Sequence, residues 1–275
     1  MRLEFAQLLI LFVFLVQSAA AQSGRMVITS VDVTSDSSVS SDHLRAITEE
    51  VTKNTYTRNQ PGEEIAERAR YLLQQDGYFK AKVSLADQFV SSTQSTVAAT
   101  LGISEGQQYS LKEIGFSSNG VFQVQQLRGQ FEIENGEIFD VEKIRRGLER
   151  LRRLYASRGY INFVPVPNTD ADDENGVVTL RIDCDEGKQF HYGKLTVVGS
   201  ELHPGDSERI LKTWRFTEGE IYNGEEVEKF WTDIARYLPL EWPLDQHLEI
   251  RQNVSSATAG LTVLLPEGEL TASQR

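Results

Sequence analysis

A single cysteine, Cys184, means that no disulfide can form within this chain. Exported proteins usually pair their cysteines or lack them, so Cys184 reads as a small buried hydrophobe, with a reactive thiol or an intermolecular bridge as the alternative. The histidines are few and scattered: His43, His191, His203 and His247. None forms the His-x-x-x-His pair with which a helix holds zinc. There is no Gly-x-Ser-x-Gly elbow and no Walker loop, so the common nucleophile and phosphate-cradling devices are missing. The acidic run Asp170, Asp172, Asp173 and Glu174 departs from the Asp-x-Asp-x-Asp-Gly spacing of a calcium loop and reads as solvated. Basic residues are outnumbered, 28 Lys and Arg against 40 Asp and Glu, for a net charge of −12. That argues against general nucleic-acid binding, which needs a basic footprint. The expectation is a protein that is not an enzyme, with no cofactor and no metal.

Long apolar runs are also scarce. Leu8 to Val16 is nine residues, too short for a membrane span of roughly 20. Arg2 precedes it and Ser18-Ala19-Ala20-Ala21 follows, which reads as a secretory signal over 1–21 cut near Ala21. The rival is an uncleaved anchor using Phe5 to Ala21. No cysteine follows the run, so a lipoprotein anchor is excluded.

What the chain does have is repetition. Glu105-Gly106, Glu186-Gly187 and Glu267-Gly268 stand 81 residues apart, and each closes an alternating stretch. Aligned on these pairs, Val97, Ala99, Leu101 and Ile103 match Val178, Leu180, Ile182 and Cys184, then Ala259, Leu261, Val263 and Leu265. All twelve are apolar and the residues between them are mostly polar or small. Period-2 alternation marks a strand with one face on a core, and a constant spacing marks an array of one small unit.

The second unit is the clearest. Tyr109 to Phe116 alternates as a strand, and Val124 to Phe131 reads as a short helix. Asp140 is a plausible N-cap for a helix from Val141 to about Ser157, whose Ile144, Leu148, Leu151, Leu154 and Tyr155 form one apolar stripe. Gly159 stops it in the C′ role. Ile161 to Val166 and Val177 to Cys184 are strands either side of a polar loop from Thr169 to Gly176. The order is β-α-α-β-β. Gly77-Tyr78 repeats Gly159-Tyr160, and Gly219 to Tyr222 repeats Gly136 to Phe139. In the third unit the Gly-Tyr stop gives way to Leu238-Pro239, and Trp231 falls on the core stripe while Trp242 beside Pro243 reads as exposed. The fold class is α+β: three tandem units over 26–107, 108–188 and 189–268, each a three-stranded mixed sheet covered on one face by two helices, then a polar tail over 269–275.

A tandem β-α-α-β-β unit of this size resembles the POTRA (polypeptide-transport-associated) domain. The resemblance rests on the Gly-Tyr turn, on the Gly-x-x-Phe/Tyr entry to the second helix, and on the closing Glu-Gly followed by Tyr109 or Phe190. It implies a periplasmic arm of an outer-membrane protein that inserts or translocates polypeptides. Only seven residues follow Gly268, too few for a barrel, so the expectation is a free periplasmic array. Its implied partners are unfolded or extended polypeptides and a separate outer-membrane barrel, with no nucleic acid and only peripheral membrane contact. The alternative is a fixed scaffold of an envelope complex, held at the inner membrane by an uncleaved N-terminal segment.

The resemblance further implies that the second strand of each unit is an open edge, onto which an extended client adds as another strand. Pro165 and Pro167 blunt the middle edge. The candidate polypeptide-binding residues are therefore Lys82, Val83, Ser84 and Leu85 in the first unit, and His247, Leu248, Glu249 and Ile250 in the third. The helix from Lys143 to Arg158 is a basic anomaly in an acidic chain. Its Arg145, Arg146, Arg150, Arg152 and Arg153 are candidates for an anionic partner, against the plainer reading of a solvated face.

Overall fold

A computed structural model describes residues 26–35, 39–57, 59–91, 96–199, 204–238 and 247–265. The expected signal segment, the tail, Trp242 and residues 244–246 lie outside the described residues.

The first repeat runs β1 (Met26–Ser35), α1 (Ser41–Thr52), β2 (Thr55–Tyr56), α2 (Pro61–Gln75), β3 (Lys82–Ser91) and β4 (Thr96–Ser104). The second runs β5 (Ser110–Ser117), α3 (Val124–Arg128), α4 (Val141–Ala156), β6 (Val164–Asp172) and β7 (Val177–Asp185). The third runs β8 (His191–Val198), α5 (Pro204–Thr213), α6 (Gly224–Ile234), a 3-10 turn (Ala235–Tyr237), β9 (Leu248–Asn253) and β10 (Thr258–Leu264). The sheet orders are β2-β1-β4-β3, β5-β7-β6 and β8-β10-β9. The last strand of each repeat is thus central. β4 pairs parallel with β1 and antiparallel with β3, and β10 pairs likewise with β8 and β9. A parallel return needs a long crossover, which the two helices supply.

All twelve alternating positions are buried, because each lies on the covered face of a central strand. In the first repeat Val97, Ala99, Leu101 and Ile103 share a core with Ile47 and Val51 of α1 and Ile65, Ala69 and Leu73 of α2. In the third, Ala259, Leu261, Val263 and Leu265 pack with Ile210 of α5 and Val227, Phe230 and Ile234 of α6; Trp231 packs at the margin of that core. Burying one such side chain contributes about 1.5–3 kcal/mol, and no helix among the described residues is long and apolar enough to cross a membrane.

Local signals set the helix ends. Ser40 accepts from the His43 N–H at 3.1 Å. Asp140 accepts from Glu142 and Lys143 at 2.7 and 3.1 Å, and Asn223 from Glu225 at 3.0 Å. α2 and α4 both end in a Schellman motif on a left-handed glycine, with Tyr78 N–H on Leu73 O and Tyr160 N–H on Tyr155 O. α6 has no such glycine and runs on into the 3-10 turn.

Three details differ from the sequence expectation. The first sheet has four strands, because Thr55 and Tyr56 pair antiparallel with Val27 and Met26. The other repeats keep a remnant of this pairing as the single bridges Ser110–Ile138 and His191–Ile221. The middle edge strand lies at Val164–Asp172, later than expected, and half of the polar loop belongs to it; the turn 173–176 is left. Its outer half is polar, with Asp170 3.8 Å from Arg181 of β7, so side-chain polarity does not reveal the strand. α3 stops at Arg128, where Gly129 caps it, rather than at Phe131.

The chain divides into two compact units that cut the middle repeat. One gathers the first repeat with Phe131–Arg146 and Pro167–Ile182. The other gathers the third repeat with Phe116–Gln130 and Gly147–Val166.

Candidate edge strands and repeat junctions

Among the described residues β3 ends its sheet and pairs only with β4. Its ten residues extend about 33 Å. Val83 and Leu85 face Ile103 and Leu101 on the core side and are half-buried, while Lys82 and Ser84 are exposed. After Leu85 the register slips by one residue at Ala86, because Asp87 pairs with Thr100. This bulge turns Gln88 to the core side, where its Oε1 accepts the Gly62 N–H at 3.0 Å. Gln88 thereby caps the first turn of α2, which the N-cap residue Gln60 leaves without a side-chain acceptor. Gly62 permits that approach, since a Cβ there would stand 2.4 Å from Gln88 Oε1 and 2.6 Å from Leu85. The same bulge turns Phe89 outward, 71% exposed.

β9 is the corresponding edge of the third sheet. Leu248 and Ile250 sit opposite Val263 and Leu261, and Ile250 is 44% exposed, with no strand beyond β9 among the described residues. Glu249 pairs with Arg251 at 3.0 Å on the other face. His247 precedes β9; its side chain is fully buried, with Nδ1 2.8 Å from Leu264 O, and its own carbonyl accepts the Leu264 N–H at 2.8 Å. β6 is the edge of the middle sheet, and Pro165 and Pro167 stand within it. A proline cannot donate to an added strand, although Val164 and Val166 are exposed there.

The arginines of α4 are not gathered into one site. Arg145 donates twice to Glu142, at 2.8 and 2.7 Å. That contact, joined by the Tyr71 hydroxyl, holds the Glu142 carboxyl down at about 2. Arg152 and Arg153 share Glu149, at 3.5 and 4.0 Å. Arg150 donates to Gln130 O at 3.2 Å. Arg146 is exposed and makes no ion pair among the described residues.

The sequence motifs meet at the junctions between repeats. In the first unit Gly77 O accepts the Tyr109 N–H at 2.9 Å, and Tyr109 O accepts the Phe139 N–H at 2.9 Å. In the second, Gly159 O accepts the Phe190 N–H at 2.8 Å, and Phe190 O accepts the Tyr222 N–H at 2.9 Å. Gln108 and Gln189 add side-chain bonds to Asp76 O and Arg158 O, at 2.7 and 2.9 Å. Both glycines have φ near +85° and leave no room for a Cβ. At Gly77 it would meet Ile138 at 2.5 Å, and at Gly159 it would meet Phe190 O at 2.6 Å. The Gly-Tyr turn, the aromatic after Glu-Gly and the Gly-x-x-aromatic entry are thus parts of one joint, used twice.

The closing glutamates of the first two repeats each bond within their own repeat. Glu186 accepts from the Tyr155 hydroxyl at 2.8 Å and from the Gly120 and Val121 N–H groups at 2.9 Å each. The buried Glu105 instead meets His43 Nδ1 at 2.6 Å. Cys184 is buried beside this latch, and burial pushes its thiol above the ordinary value. Asp173, expected in a solvated loop, accepts from Lys80 and from the Tyr109 hydroxyl. No group of three or more His, Cys, Asp or Glu among the described residues is placed to hold a metal.

Comparison with known proteins shows what parts of the chain resemble. Residues 109–187 match the family model described as "POTRA: Surface antigen variable number repeat". A curated relative, the outer membrane protein assembly factor BamA of Buchnera aphidicola (subsp. Acyrthosiphon pisum, strain APS), is 21% identical over 221 residues, covering 76% of this chain and 35% of its own. A putative outer membrane protein assembly factor of Treponema pallidum (strain Nichols) is 25% identical over 166 residues, 57% of this chain and 19% of its own. The chain therefore spans about a third and about a fifth of these relatives. Among solved structures, POTRA3-5 of Haemophilus influenzae BamA superposes with a TM-score of 0.66 at 19% identity, over 90% of this chain and 100% of that one.

Proposed function

We propose that this protein, whose residues 109–187 match the POTRA model and whose fold resembles POTRA3-5 of Haemophilus influenzae BamA over 90% of the chain, is a non-catalytic periplasmic interaction array of outer-membrane protein assembly. In this reading it receives unfolded outer-membrane or secreted polypeptides by strand addition at β3 and β9, and docks on an outer-membrane barrel. One observation carries the reading. β3 is a ten-residue edge strand without proline, and it presents Phe89 and Val90 to solvent. An unpaired edge templates pairing with other chains, and within β3 it is interrupted by Lys82, Asp87 and the bulge at Ala86 but not by proline. Main-chain hydrogen bonds then give affinity with little demand on client sequence. β6 contributes less because of its prolines, and β9 is shorter, at six residues. The names of the curated relatives support the same role in assembly.

In-cell photo-crosslinking tests this, with probes at Ser84 and Phe89 on β3, at Ile250 on β9, and at the exposed Arg45 of α1 as a control. Many outer-membrane or secreted proteins captured from the strands and few from Arg45 are expected. One or two fixed partners at stoichiometric yield would instead make the chain a scaffold of an envelope complex.

A further inference from the structure

The two joints share their backbone bonds but not their side chains. Across the first, the Lys80 ammonium lies 2.5 Å from Asp173 of the next repeat. Tyr71 of α2 donates to Glu142, which Arg145 also holds. Tyr109 itself is buried, and its hydroxyl fixes the Asp173 carboxylate at 2.7 Å. Both members of the cross-joint pair are displaced toward the charged form: Lys80 is held above its ordinary value chiefly by Asp173, and Asp173 below its own chiefly by Lys80.

At the second joint Asn162 stands where the first has Lys80, and Phe190 where it has Tyr109. Asn162 donates to Gln252 at 2.9 Å, a neutral bond, and the Lys188 ammonium donates to Val254 O at 3.2 Å, a charged donor on a neutral acceptor. The phenylalanine brings no hydroxyl. Where α4 ends against α6, the close approach is Ala156 on Gly224, with no charge in it. Among the described residues no ion pair crosses this joint.

We infer that the first joint is fastened by an ion pair and the second is not, so that ionic strength loosens one joint of the array more than the other. The Lys80–Asp173 side chains are 40% and 62% exposed, so dissolved ions reach them. Loosening stops short of separation, because Tyr109 N–H on Gly77 O and the edge-to-face contact of Phe79 with Phe139 at 5.4 Å are not ionic. β3 starts two residues after Lys80, so the strand freed by this joint is an edge strand. The inference does not depend on whether that edge takes clients.

Two single amides report on it. The Tyr109 N–H bonds across the first joint and the Phe190 N–H across the second. Their hydrogen exchange is compared by NMR on the full chain in about 0.1 M and about 1 M salt, where the screening length falls from about 10 Å to about 3 Å. Tyr109 exchange is expected to accelerate by about threefold to tenfold, the worth of one or two exposed ionic contacts. Phe190 exchange is expected to hold steady. The variant Lys80→Asn with Asp173→Asn, which copies the neutral joint, should exchange fast at Tyr109 in either salt. Tyr109→Phe should weaken the salt response in part. Equal responses at the two amides, no response at either, or a response undiminished in the double variant would overturn the inference.

Discussion

Replacing Gly159 by alanine tests whether the Gly-Tyr turn is a helix stop alone or a joint as well. Four glycines share the same backbone conformation: Gly77, Gly136, Gly159 and Gly219, with φ between +84° and +91°. Any L-residue there incurs about 1–2 kcal/mol of left-handed strain. They differ in what a new Cβ would meet. At Gly136 and Gly219 nothing lies within 4 Å, whereas at Gly159 the Cβ stands 2.6 Å from Phe190 O and 3.2 Å from Ile221. Because the nearest atom is backbone, a rotamer change cannot relieve the contact and Phe190 must move. That displacement adds about 1–3 kcal/mol and weakens the bond from the Phe190 N–H. All three tryptophans lie in the third repeat, so urea unfolding followed by tryptophan fluorescence reports on the side of the joint that Gly159 supports. Gly219→Ala should cost about 1–2 kcal/mol and Gly159→Ala about 2–5 kcal/mol in all. Equal costs at the two sites would refute the joint and leave only the cap.

Other expectations follow from the same geometry. Glu186→Ala strands the Tyr155 hydroxyl and two backbone N–H groups, and should destabilise the middle repeat by about 2–4 kcal/mol; Glu186→Gln should cost less, and exchange at Val121 tells them apart. The folded carboxyl of Glu142 is depressed to about 2, below its unfolded value of about 4.3. Its contribution is therefore complete above that unfolded value and lost as pH falls through the folded one; acid titration of Glu142→Gln should show a shallower loss over that interval. Cys184 should resist thiol reagents in the native protein and react on denaturation, since burial both shields the thiol and raises it. Proline at Ser84 or at Leu85 should abolish client crosslinks at one of the two positions only, because neighbouring residues of an edge strand point their N–H groups to opposite sides.

The repeat and its element order were legible because they rest on periodicity. Twelve positions at 81-residue spacing became the covered faces of three central strands. The glycine stops and the Asp140 cap were legible because helix ends are local. What the sequence withheld is tertiary. Tyr109, Gly77 and Phe139 are far apart in the chain, and nothing in their motifs says that they share one pair of hydrogen bonds. β2 exists only through its pairing with β1. The bulge at Ala86 depends on Gln88 reaching Gly62, so Phe89 was not picked out as the exposed aromatic of the edge. His247 was read into β9 because its neighbours alternate, but its ring turns inward to Leu264. The basic helix was read without Glu142, which takes Arg145.

The most direct test of strand addition is residue-resolved amide exchange along β3, by NMR, with and without an unfolded outer-membrane polypeptide. Strand addition predicts new protection at every second residue of β3, the period with which an edge strand turns its N–H groups outward. Protection spread over helix surfaces, with β3 unchanged, would contradict it.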